Sequence, residues 1–217
     1  MSAPNRTEQH DLVLAAAKEM LEKGLTEGTA GNLSMRLPDG NIVITPSSVD
    51  YRAMTLDDLC VIDMDGNQVG GERGPSSEKL LHLSCYRAFA DVQSVIHAHP
   101  IYATMFAVAR LDIPAAIDEF SIYCGGDVKV AEYAMSGTPE VGENAVKVLD
   151  GRGAALLANH GTVAVGPSPA KALHITALVE RSAQIVWGAR LMGDVHHLPD
   201  DVDATFATYY GFMRTAP

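Results

Sequence analysis

Residues 93–100 read Gln-Ser-Val-Ile-His-Ala-His-Pro. The β-branched Val95-Ile96 pair and the closing proline predict a short strand that stops at Pro100, since proline cannot donate to a sheet ladder. On a strand, residues two apart point to the same face. His97 and His99 therefore project side by side, as two ligands of one cation must, and Pro100 sets the pair at the rim of the sheet. A His-x-His pair alone also arises where two histidines merely pack or face solvent, so its meaning depends on its neighbours.

Further along, residues 153–166 (GAALLANHGTVAVG) form two apolar strand segments around an Asn159-His160-Gly161 turn. The strand breaks at a histidine, and the glycine after it permits a sharp turn or a close approach. Upstream, Pro75-Ser76-Ser77-Glu78 opens a predicted helix through about Ala90, capped by serine, with Glu78 in its first turn. The helix dipole favours a carboxylate there without any function. Three neutral imidazoles and a carboxylate also make a zinc-type donor set, and a carboxylate is the ligand best able to leave the metal and act as a base.

The flanking segments predict alternating elements. Residues 8–24 have helical spacing and end at Gly24. Residues 28–46 read as a hairpin turning at Pro38-Asp39-Gly40, and residues 59–71 as a second one turning at Asp65-Gly66. Residues 101–110, 139–151 (with Gly151 as the stop) and 168–192 read as helices, and residues 128–135 as a strand. Strands grouped among helices imply an α/β fold, a three-layer α/β/α domain over 1–217 with a mixed, largely antiparallel sheet.

Bulk properties narrow the function. The chain has 217 residues, 47% of them hydrophobic, enough for one domain with a sizeable core. Its formal charge of −11 argues against nucleic acid and anionic membranes as partners. No apolar stretch is long enough to span a bilayer, and the first twelve residues lack a secretory pattern, so a cytoplasmic enzyme is expected. Cys60, Cys85 and Cys124 are widely spaced and odd in number, which predicts buried thiols rather than a disulfide framework. Ser76 and Ser77 offer hydroxyls beside helix N–H groups, a natural place for a phosphate, and the loops 28–32 and 45–48 are small, polar segments of the kind that could each cradle an oxyanion. His82, His174 and Trp187 fit helix packing or solvent exposure, and His196-His197 a surface loop.

The ordered motifs Gly31-Asn32-x-Ser34, Thr45-Pro46-Ser47, Pro75-Ser76-Ser77-Glu78, His97-x-His99-Pro100 and Asn159-His160-Gly161 resemble the class II aldolase/adducin family, and within it the L-fuculose-1-phosphate aldolase branch. The resemblance covers about residues 8–192. It implies a homotetramer with active sites between subunits, and a zinc ion (manganese or cobalt being the alternatives) on Glu78, His97, His99 and His160. It assigns the phosphate of a sugar substrate to Gly31, Asn32, Thr45, Ser76 and Ser77. The segment from about 193 to 217 is similar to a family tail that carries a tyrosine toward an adjoining site, a role open to Tyr209 or Tyr210. Glu119 stands where the fuculose branch has a tyrosine and resembles the acid/base glutamate of related dehydratases.

The resemblance therefore implies zinc-dependent, reversible aldol cleavage of a ketose 1-phosphate to dihydroxyacetone phosphate and a short aldehyde. A decarboxylase or a sugar-phosphate dehydratase of the same family is the alternative. A non-enzymatic, adducin-like interaction module is disfavoured by the complete Glu/His set.

Overall fold

The structure, a computed structural model, describes residues 7–215. In chain order it contains α1 (Glu8–Glu22), β1 (Asn32–Arg36), β2 (Ile42–Ile44), β3 (Cys60–Ile62), β4 (Gln68–Gly70), α2 (Lys79–Ala88), β5 (Ser94–Ala98), α3 (Ile101–Ala109), α4 (Asp118–Cys124), β6 (Val130–Ala131), α5 (Pro139–Leu149), β7 (Ala154–Leu157), β8 (Gly161–Gly166), α6 (Pro169–Met192) and α7 (Asp200–Thr215). The strands form one sheet in the order β4-β3-β2-β1-β5-β8-β7-β6. Neighbouring strands pair antiparallel except β6 and β7, which run parallel because α5 carries the chain back between them. No helix among the described residues is long and apolar enough to cross a membrane.

The strand of residues 94–98 is the centre of this sheet, between β1 and β8, and every residue in it is buried. Both faces are covered. Val95, Val163 and Val165 pack with Leu81, Leu83 and Tyr86 of α2 and Val141 and Ala145 of α5. On the opposite face Leu33, Val43, Ile96 and Ala98 meet Val13, Ala17 and Met20 of α1 and Leu173 of α6, while Ala154, Leu156 and Ala164 meet α3, α4 and α6. Each such aliphatic side chain contributes roughly 1.5–3 kcal/mol on leaving water. The fold is thus the expected α/β/α arrangement.

The alternation sorts polar residues as well. His97 has the parity of Val95, and Asn32 and Ser34 have the opposite parity from Leu33, so all three lie on the α2 face. Asn32 and His97 are cross-strand partners. One face of the central strands therefore carries a polar cluster at one end and apolar side chains beyond it.

Several segments depart from expectation. The helix after Pro75 begins at Lys79, with Glu78 as its N-cap residue and no serine cap. Pro75 is instead held extended against Pro46, and the Ser76 N–H donates to the Thr45 carbonyl. The strand expected over 128–135 shrinks to two residues, because the chain turns away at Glu132 into a loop. Two helices carried no expectation: α4, and α7, whose first turn bears Asp200, Asp201 and Asp203. All three thiols are buried, as expected.

Candidate metal centre

Four elements converge at the C-terminal end of β5. His97 is its penultimate residue and fully buried; His99 follows directly. The Nδ1 of His97 lies 2.8 Å from the Thr162 carbonyl on β8. That carbonyl can only accept, so Nδ1 carries the proton and the Nε2 lone pair faces inward. The turn after His99 is fixed by Glu180 of α6, whose carboxylate accepts the N–H groups of Tyr102 and Ala103 at 3.0 and 2.9 Å. That satisfies donors at the start of α3, which would otherwise be orphaned.

His160 reaches the same point from the β7–β8 turn. Asn159 before it adopts a left-handed conformation, φ 55°, which asparagine tolerates better than most residues. Its side chain accepts from Arg110, at the C-terminal end of α3. Gly161 after it is required by contact: a β-carbon there would stand 2.4 Å from the Ala98 carbonyl oxygen.

The Nε2 atoms of His97 and His99 are 2.9 Å apart. Glu78 Oε2 lies 3.0 Å from His97 Nε2, and Glu78 Oε1 lies 3.3 Å from His160 Nε2. All four residues offer a donor atom within 4.8 Å of the others. A tetrahedron with metal–nitrogen bonds of ~2.0–2.1 Å has edges of about 3.3 Å, so the set fits one small divalent cation. Burial pushes the Glu78 carboxyl up, but the His97 ring beside it and the hydrogen bond from Ser136 outweigh it and hold the group below the usual carboxylate range. His99 is pushed down to about 4 and His160 is also lowered, in both cases first by burial. At neutral pH His99 and His160 are therefore neutral and Glu78 anionic, the forms that bind a cation.

Beside the cluster lies a cleft of about 220 Å³, lined by residues 29–32, 46–48 and 76–78 with His99, Ser136 and His160. Gly31, Asn32, Ser76 and Ser77 are among the residues that line it. Gly31 has φ 74°, and a β-carbon on it would come within 2.7 Å of the His97 carbonyl oxygen, so only glycine lets this loop lie against β5. Among the described residues, no lysine or arginine lines the cleft.

Other candidates from the sequence lie elsewhere in the chain. Thr45 is fully buried and accepts from the Leu33 N–H at 3.1 Å; its hydroxyl holds the loop rather than lining the cleft. Glu119, on α4, pairs with Arg181 of α6 at 2.9 Å on the surface. Tyr210 is buried against Gly125, while Tyr209 beside it is half exposed. Neither tyrosine lines the cleft.

Two residues were missed. Ser136, on the loop after β6, donates to Glu78 Oε1 at 2.6 Å; a serine in a polar loop carries no distinguishing signal. His82 is fully buried, and its Nε2 meets Asn32 Oδ1. Its position four residues after Glu78, on the same side of the incipient helix, was the available signal.

A carboxylate and three imidazoles at a sheet rim, opening on a hydroxyl-lined cleft, describe a metal-dependent enzyme of α/β/α architecture. Comparison with known proteins narrows this. Residues 11–187 match the model of the Class II Aldolase and Adducin N-terminal domain. A 5-deoxy-D-ribulose 1-phosphate aldolase of Bacillus thuringiensis serovar kurstaki is 32% identical over 194 residues, 89% of this chain and 91% of its own. A 3-oxo-tetronate 4-phosphate decarboxylase of Haemophilus influenzae is 34% identical over 182 residues, covering 82% of this chain and 86% of its own. Among solved structures, an L-fuculose 1-phosphate aldolase superposes with a TM-score of 0.91 at 38% identity, over 95% of this chain and 98% of that one. The chain belongs to the class II aldolase and adducin family, and it is a lyase of the class II aldolase type.

Proposed function

We propose that this chain, one domain throughout, catalyses the reversible, zinc-dependent aldol cleavage of a ketose 1-phosphate to dihydroxyacetone phosphate and a short aldehyde. The observation that carries the reading is the Glu78/His97/His99/His160 cluster opening directly onto the cleft of residues 29–32, 46–48 and 76–78. Relatives named for fuculose phosphate and 5-deoxyribulose phosphate, both 1-phosphoketoses with a deoxygenated end, favour a substrate of that type.

Glu78, His97, His99 and His160 would hold the cation, with manganese or cobalt as alternatives to zinc. When bound, it supplies a positive charge that stabilises the oxygen on which negative charge collects as the carbon–carbon bond breaks. The remaining work falls to the chain. Gly31, Asn32, Ser76 and Ser77 would seat the phosphate against loop N–H groups near the start of α2, where the helix dipole is favourable. Glu78 would move the proton at the carbon from which the aldehyde departs.

The aldehyde oxygen needs a second acid/base group. Exposed Tyr209, or Glu119 on the surface of α4, would supply it to the site of an adjoining copy in a homotetramer. Ile101, Met105 and Val108 support such association: they leave an exposed apolar stripe along α3, immediately after the histidine pair. A cytoplasmic setting accords with the phosphorylated substrate.

The test is product analysis on L-fuculose 1-phosphate, 5-deoxyribulose 1-phosphate and 3-oxo-tetronate 4-phosphate, with and without chelator. Chelator-sensitive dihydroxyacetone phosphate from a ketose 1-phosphate supports the proposal. Release of CO₂ from the oxo acid alone would make the chain a decarboxylase, the second reading, favoured by the Haemophilus relative. Loss of water at unchanged carbon count from a ketose phosphate would indicate a dehydratase.

A further inference from the structure

A file of buried polar groups runs from the core beneath α2 to the carboxylate of Glu78. The Tyr86 hydroxyl lies 2.7 Å from Ser34 Oγ, and Ser34 Oγ lies 2.6 Å from His82 Nδ1. His82 Nε2 meets Asn32 Oδ1, and Asn32 Nδ2 donates to Glu78 Oε2 at 3.1 Å. Tyr86, Ser34, His82 and Asn32 are all buried, so water does not compete for these contacts.

The protons in this file are determined by its ends. An ionised carboxylate only accepts, so the Asn32 amide must turn its nitrogen to Glu78 and its oxygen to His82. His82 must then donate from Nε2. Complete burial keeps this imidazole neutral, with a pKa pushed down to about 3, so Nδ1 is left as an acceptor. Ser34 donates to Nδ1 and accepts from the Tyr86 hydroxyl. A single ordering satisfies every group.

We propose that His82 is a positioning residue for the cation: its Nε2–H pins the Asn32 amide, which fixes the rotamer of Glu78 so that the carboxylate meets His97 and His160. This rests on the reading of Glu78 as a cation ligand. An unpinned Asn32 could rotate, presenting its oxygen to the carboxylate and driving it from the cluster. Groups that orient metal ligands are worth about 10–100-fold in affinity.

The experiment compares His82→Gln with His82→Asn. The glutamine amide nitrogen reaches the place of Nε2 and can still donate to Asn32; the shorter asparagine reaches only the place of Nδ1 and keeps the Ser34 contact. Zinc affinity is read by competition with a chromogenic chelator, and the fold of each apoprotein by its melting temperature. His82→Gln should stay within about threefold of the parent protein, and His82→Asn should lose about 10–100-fold.

Equal affinities in two folded variants would overturn the proposal while leaving the metal assignment intact. A parent protein without zinc affinity would overturn the proposed function, and this inference with it. Should both variants fail to fold, long-range ¹⁵N–¹H correlation on the unaltered protein decides. His82 protonated on Nε2 supports the ordering, and protonation on Nδ1 refutes it.

Discussion

Gly161 is so near His99 that a β-carbon on it would stand 2.7 Å from the ring's Cδ2 atom. The residue after the third histidine thus sets the space for the second. The β8 strand begins against the last residue of β5, and nothing larger than a hydrogen fits between them.

Gly161→Ala should therefore displace the His99 ring and the Ala98 carbonyl together. Overpacking of this kind costs typically 1–3 kcal/mol. The expected result is a lower melting temperature together with weakened zinc binding. Unchanged affinity in a folded variant would mean that His99 has room to move.

His99→Ala removes a donor from the set of four. Its cation affinity should fall by more than the roughly 100-fold that loss of an orienting neighbour costs, and lyase activity should vanish with the metal. Elemental analysis of the purified variant gives the answer; a stoichiometric ion with full activity would show that His99 is no ligand.

Acid should weaken the metal-free protein before any carboxylate titrates in the usual range. His82 is pushed down to about 3 and His99 to about 4, both chiefly by burial, against about 6.5 in an unfolded chain. Between these limits the unfolded chain binds more protons than the folded one, so stability falls as pH falls. His82 alone contributes up to roughly 1.4 kcal/mol per pH unit, with His99, nearer to solvent, adding less. Glu78, held below its ordinary value, extends the loss below about pH 4.5. Urea midpoints of chelated protein should decline steadily from pH 7 to pH 4; a flat profile would mean that these imidazoles reach water.

The adjacent tail tyrosines should respond in opposite ways. Tyr210 is buried against Gly125, so Tyr210→Ala should cost about 3–5 kcal/mol of stability, as large aromatic truncations do. Tyr209 is half exposed, and Tyr209→Phe should leave stability within about 0.5 kcal/mol. If its hydroxyl serves an adjoining site, turnover should nevertheless fall at least about 100-fold. Full turnover in Tyr209→Phe would pass that role to Glu119 or another group.

What the sequence revealed follows the reach of its patterns. The alternation around Val95-Ile96 and the break at Asn159-His160-Gly161 are local signals, and both strands formed where they predicted. The convergence of Glu78 with the three histidines was read from motif order, and the structure brings them to one point. Local propensity failed where tertiary contact decides. Glu132 turns the chain out of the sheet to deliver Ser136 to Glu78, and nothing between residues 128 and 135 signals it. Pro75–Ser76 is held extended by pairing with the Thr45–Pro46 loop, so the helix starts late. The acidic first turn and aromatic body of α7 became a helix by packing on α4, a partner that was itself unrecognised. His82 passed for an ordinary core residue because its importance lies in what its two nitrogens touch.

The sealing of Cys60, Cys85 and Cys124 inside the packed layers has a practical side. Burial pushes Cys60 up to about 11 and Cys85 up to about 12, and raises Cys124 as well. Alkylating agents and air oxidation both act through an accessible thiolate, and this chain offers none while folded. It can be handled without the dithiol reductants that scavenge zinc, so metal measured after purification reports the protein rather than the buffer.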